Sequence, residues 1–151
     1  MKYDCSEDVK KHINKVAFFM DKIIEELFWR EDSHDASKLM SPEKKYFDLY
    51  TPLLWKLSYG SKEYEKIRKK MKPALIHHYK HNFHHPEHFK NGINGMDLVD
   101  LVEMLCDWMA STKKEKNGNI NKSFKIAEKR FKISKQLMQI LKNTVKRRFN
   151  A

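Results

Sequence analysis

Glycine and proline are scarce, with four of each in 151 residues. Hairpin-rich or loop-rich folds need more of both, so helices are favoured from the outset. Cysteine is scarcer still. Cys5 and Cys106 stand far apart and cannot form a disulfide framework, so a reducing, cytoplasmic setting is expected. No apolar run approaches the ~18 residues of a membrane span, and the N-terminus has no signal-like stretch. A soluble protein with no membrane partner is expected. Several catalytic signatures are also missing: a Gly-rich phosphate loop, a Gly-x-Ser-x-Gly elbow, a paired CxxC and an HExxH helix. "HHPEH" hints at the last, but Pro86 breaks the helix that would present both histidines.

Positive charge is plentiful, and it is unevenly spread. The net charge is +11, and from Lys113 onward 13 Lys and Arg face only Glu115 and Glu128. The whole excess therefore lies in the last quarter of the chain. Such a surface attracts phosphate-rich ligands, either nucleotides or nucleic acid, unless it is simply a solvated helix face.

The apolar pattern is helical throughout. Val9, Ile13, Val16, Met20, Ile23, Ile24 and Leu27 mark a first helix over residues 7–29. "SPEK" starts a second, with Ser41 as cap, that continues to Pro52. A third runs from Ser61 toward His81, bent at Pro73. A strongly apolar helix covers residues 96–112, with Cys106 read as a buried thiol. The last helix spans residues 121–149, with Phe124, Ala127, Phe131, Leu137, Met138, Leu141 and Val145 on its apolar face. No strand pattern and no repeat is present. The expected fold is all-α, a single-domain bundle of five to six helices. Residues 1–112 would form its metal-binding core. Residues 113–151 would be a basic connector and an amphipathic C-terminal helix packed on the same domain.

Histidine is the second excess. Six of eight histidines fall within residues 77–88, "HHYKHNFHHPEH". His34-Asp35 sits at a loop-to-helix junction, where a tight turn lets both side chains reach one divalent ion. His12 falls at the edge of the first helix's apolar arc and needs a hydrogen bond or a ligand there. Asp100, Glu103 and Asp107 share one stripe of an otherwise apolar helix and need a cation or donors. On the helix that ends near His81, His77 and His81 are one turn apart, as are His78 and His81. His84 and His85 lie past Asn82 in a loop, and His88 lies beyond Pro86.

The order His12, His34-Asp35, histidine cluster, Asp107 resembles the HD-domain superfamily of metal-dependent phosphohydrolases, whose H…HD…D signature sits on an all-α bundle. The separation of residues 35 and 107 is comparable to that in the bacterial 5′-deoxynucleotidases. "HDASK" is similar to the "HDIGK" of HD-GYP phosphodiesterases, though the Gly-Tyr-Pro element is absent. "NFHHPEH" is similar to a group of small phage and bacterial proteins. The resemblance implies that His12, His34, Asp35 and Asp107 hold a divalent ion, one of Mn, Co, Fe, Mg or Zn. Such an ion neutralises phosphate and activates a water for hydrolysis of a nucleotide or cyclic nucleotide. Lys38 would match a phosphate-contacting lysine. His78 and His81 are the favoured groups for a second ion or the phosphate, with Asp35 and Lys38 taking part in the reaction. His84 and His85 would contact substrate from the rim, and His88 would lie outside. His77, His78, Glu103 and Asp100 would hold a second ion or orient the ligands. Two other functions fit parts of the chain. One is a non-catalytic nucleic-acid or protein-binding module using the basic C-terminal helix. The other is a di-iron oxygenase of HD type.

Overall fold

In a computed structural model of the chain, residues 3–114 and 118–149 are described. They form α-helices and short 3₁₀ turns, and no strand occurs among them. No helix among them is long and apolar enough to cross a membrane. The chain divides into two compact units, Met1–His34 and Asp35–Ala151.

The first unit is one long helix, α1 (Ser6–Ser33). Glu7 and Asp8 in its first turn and Arg30 in its last complement the helix dipole. It runs past residue 29 because "REDS" contains no breaker, and the Ser33 hydroxyl donates to the carbonyl of Trp29 at 2.7 Å. The predicted apolar stripe from Val9 to Ile24 lies along it, and a single helix by itself buries none of these side chains.

The second unit contains α2 (Glu43–Leu54), α3 (Lys62–Lys70), α4 (Lys72–His81), α5 (Leu98–Lys114), α6 (Ile120–Phe131) and α7 (Lys135–Arg148). A 3₁₀ turn at Ala36–Leu39 precedes them, and two more, at Pro86–His88 and Gly92–Gly95, lie between α4 and α5. Its core is built by α5, α6 and α7. Met104, Leu105 and Met109 of α5 meet Phe124 and Ala127 of α6 and Met138, Leu141 and Val145 of α7. Trp108 stacks on Phe131, with centroids 6.3 Å apart. The expected boundary at residue 112 falls inside α5.

Among the described residues seven α-helices stand where five or six were expected, because two predicted helices are each broken once. Residues 61–81 separate at Met71, just before Pro73 in the first turn of α4, where a missing N–H costs nothing. The final stretch separates at Lys132, which takes left-handed backbone at φ 53. The N–H groups of Lys132 and Ile133 both donate to the carbonyl of Glu128, which closes α6. Ser134 then caps α7 by accepting from the N–H of Leu137. Cys106 is also a correction: it is exposed, because α5 turns Met104, Leu105 and Met109 to the core instead.

The left-handed Lys132 gives a stability prediction. A side chain disfavours this backbone by about 1 kcal/mol relative to glycine. Lys132→Gly should therefore stabilise the fold by about that amount, raising Tm by about 3 °C. A thermal melt that is unchanged or lower would show that Lys132 contributes packing that offsets its strain.

Candidate metal centre

The second unit opens on Asp35, whose backbone is left-handed at φ 58. Asp tolerates this conformation better than most residues, and a non-glycine residue held there often marks a functional turn. The turn leads into Ala36–Leu39, and Lys38 folds back to pair with the Asp35 carboxylate. Lys38 also lies over the Phe47 ring, 5.1 Å from its centroid.

Helix α4 supplies His78, which is 1% exposed. At Asn82 the backbone becomes extended and ends the helix. The chain then doubles back, so that His84 and His85 return over His78. The ring centroids of His84 and His85 lie 5.9 and 4.7 Å from that of His78. Asn82 holds the reversal by donating to the His78 carbonyl at 2.8 Å and to the Ser37 hydroxyl at 2.9 Å.

Four donor groups converge here: Asp35, His78, His84 and His85 each offer one atom within 4.8 Å of the others. The His78 Nε2 lies 2.8 Å from His85 Nε2 and 3.2 Å from Asp35 Oδ1. The His84 Nε2 lies 3.6 Å from the same oxygen. Donors bound at ~2.1 Å to one ion stand about 3.0 Å apart across an octahedral edge and about 3.4 Å across a tetrahedral one. The observed spacings bracket those values. Two imidazole nitrogens 2.8 Å apart share either a proton or a cation. This cluster of His and Asp side chains could coordinate a divalent metal ion.

Two carboxylates aim the rings. Glu43, fully buried at the start of α2, accepts from His78 Nδ1 at 2.9 Å, from His77 Nδ1 at 2.7 Å and from the Ser37 hydroxyl at 3.1 Å. With the proton on Nδ1, His78 directs a bare Nε2 into the cluster. Glu103 of α5 lies 2.9 Å from His84 Nδ1, on the ring edge away from Asp35. Carboxylate–histidine pairs of this kind orient a metal ligand and raise its basicity. His85 is held neutral in another way: burial, followed by neighbouring His84, His78 and Lys38, lowers its pKa to about 2. The ring is therefore neutral at physiological pH, with one of its two nitrogens unprotonated.

The structure sorts the remaining candidates. Asp107 of α5 offers an oxygen within 4.8 Å of Asp35. His12 lies within α1 and His34 is its C-cap, both in the first unit, and His34 is peptide-bonded to Asp35. His81, favoured with His78 in the sequence reading, is exposed, stacked on His77 and bonded to the His77 carbonyl. His84, expected at the rim, is 1% exposed. Helical spacing favours residues 78 and 81, but the reversal at Asn82 substitutes residues 84 and 85. Asp100 and Asp97 exchange hydrogen bonds with each other's backbone N–H at the start of α5, a capping role. His88 bonds the Tyr79 carbonyl at 2.9 Å, outside the cluster. Glu43 was missed in the sequence reading, since a glutamate in a first helical turn reads as an ordinary dipole partner.

Two predictions follow from these contacts. Glu43→Gln replaces an acceptor with a group that can donate toward His77 or His78, and should weaken metal affinity about 10–100-fold in a metal titration. Undiminished affinity would show that packing alone orients His78. For His85 the folded pKa lies below the ordinary 6.5, so the unfolded chain holds the extra proton between the two values. Stability of chelator-treated protein should thus fall as pH drops below 6.5, by up to about 1.4 kcal/mol per pH unit from this residue. His85→Asn should flatten that slope in urea melts, and an unaltered slope would assign it to other groups.

No curated protein and no solved structure matches the chain. One family model does, over residues 1–147, under the description "Family of unknown function (DUF5662)". The all-α second unit and its histidine–carboxylate cluster thus fall within a match that spans nearly the whole sequence, and the chain belongs to DUF5662.

Proposed function

We infer that the protein is a divalent-metal-dependent phosphohydrolase acting on a phosphate-containing small molecule of the nucleotide class. The observation that supports this best is the convergence of His78, His84 and His85 Nε2 with Asp35, with a carboxylate behind two of the three rings. Three imidazoles and one carboxylate suit Zn, Mn, Fe or Co. In such a site a bound divalent ion neutralises phosphate charge and lowers the pKa of water.

The chain's own residues supply the rest. Asp35 anchors one side of the ion site and carries Lys38 beside it. Lys38 is positioned to exchange its pairing with Asp35 for a phosphate oxygen. Glu43 and Glu103 would hold His78 and His84 in the tautomers that face the ion. Asp107 is proposed as a further ligand or as the base that accepts a proton from attacking water. His34, next to Asp35 in the chain, and His12 remain proposed ligands from the sequence order. The basic stretch from Lys113 onward would steer anionic substrate toward the domain.

The test combines metal analysis with turnover. Protein purified with supplemented Mn2+, Co2+, Zn2+ or Fe2+ should retain a stoichiometric ion, and Asp35→Ala and His78→Ala should lose most of it. The loaded wild type should release phosphate from some member of a nucleotide panel. Full metal retention in both variants would refute the site. Stoichiometric metal with no phosphate release would refute the reaction, and iron with a visible absorption band would point to oxygen chemistry.

A further inference from the structure

A cavity of about 220 Å³ opens beside the metal cluster and shares His85 with it. Arg68 and Arg130 also line it, with Tyr59, Tyr64 and Tyr79 and the carboxylates of Glu87 and Asp107. The Tyr79 ring lies 4.9 Å from that of His85.

Both guanidinium side chains line the same cavity. Arg130 is tied down by Glu87, at 2.5 Å, and by the Tyr59 hydroxyl, at 3.5 Å. Arg68 differs. Among the described residues its ion pair is with Glu65, made through Nε at 2.8 Å. That pair does not use its terminal nitrogens, and the side chain lines the cavity. Like charges lining one cavity favour a bridging anion, and a guanidinium fork matches an oxyanion in two-point geometry. Much of the remaining lining is aromatic, with Tyr64 packed on Tyr59 at 5.2 Å and with Trp108 and Phe131. The volume is below the ~300–1,000 Å³ of drug-sized sites, which excludes polymeric ligands from the interior.

We propose that this cavity selects substrates carrying a second oxyanion, held by Arg68 with Arg130, in addition to the phosphate presented to the metal cluster. The inference rests on the phosphohydrolase reading and narrows its substrate class to small molecules with two acidic groups. Glu87 serves as a positioning residue that fixes Arg130, and Arg68 makes the discriminating contact.

The test uses non-hydrolysable probes of matched shape on the metal-loaded full chain. Phenylphosphonate derivatives bearing a para carboxylate, a para phosphonate or a para methyl group are compared by calorimetry. At least one of the two dianionic types should bind about 10-fold more tightly than the methyl probe, and the tighter one identifies the preferred oxyanion. Arg68→Gln should erase that preference while leaving the methyl probe's affinity and the melting temperature unchanged. Arg68→Lys should restore part of it. Equal affinity for all three probes, or a preference that survives Arg68→Gln, overturns the proposal. Matching phosphate esters separate this proposal from the reaction. Preferential binding without any hydrolysis keeps the anion site and removes the phosphohydrolase. Hydrolysis without preference does the reverse.

Discussion

A single buried carboxylate joins most of the parts that matter. Glu43 stands at the first turn of α2, where the helix dipole favours negative charge, and it is wholly out of solvent. It is tolerable there only because three donors meet it, two imidazoles from α4 and the hydroxyl of Ser37. Hydrogen bonds to a charged group contribute about 1.5–3 kcal/mol each, and a buried charge stripped of its partner costs about 3–5 kcal/mol. This one group therefore ties the turn after Asp35, the start of α2 and the middle of α4 into one arrangement. Asn82 extends the same network into the loop that carries His84 and His85. The metal cluster has rigid walls on this side because its orienting groups are also the fold's buried polar links.

The other wall is made differently. Helix α5 presents Glu103 and Asp107 toward the site, while Met104, Leu105 and Met109 turn into the core with α6 and α7. A helix can do both because residues 103 and 107 are one turn apart and share a stripe, and the apolar positions occupy the opposite arc. The hydrophobic packing of three helices thereby fixes the height at which Glu103 meets His84. Site geometry and core packing share this helix, so a core substitution at Met104 and a site substitution at Glu103 should not act independently.

Much of the fold was legible because it rests on periodicity. The stripe of Val9 to Ile24, the apolar residues of α5 and the sequence Phe124, Ala127, Met138, Leu141 and Val145 all announce helices and a core. The errors fall where local chemistry overrides period. Lys132 in a left-handed cap ends α6, although nothing but its backbone distinguishes it from other lysines in that stretch. The site was legible as a set of residue types, and less so as a selection among them. Asp35 and His78 fall in one cluster and Glu103 lies against His84, while past the Asn82 reversal His84 is buried and His81 is left exposed. Glu43 is invisible from pattern alone, since its partners are 34 and 35 residues away.

The cavity connects these observations to selectivity. His85 belongs both to the cluster that could hold an ion and to the lining of the cavity. The Tyr79 ring, 4.9 Å from that of His85, lines the same cavity as the arginines. A substrate that reached both the cluster and the arginines would be held at two points, which lowers the entropy lost in reaching a reactive geometry. A substrate with one anionic end gains no such restraint, because the aromatic lining offers area without direction. Discrimination between the two would come from Arg68, whose pair with Glu65 does not use its terminal nitrogens, more than from Arg130, which Glu87 already engages. On the proposed reading, the cluster of histidines would set the reaction and the arginines of the cavity would set which molecule undergoes it.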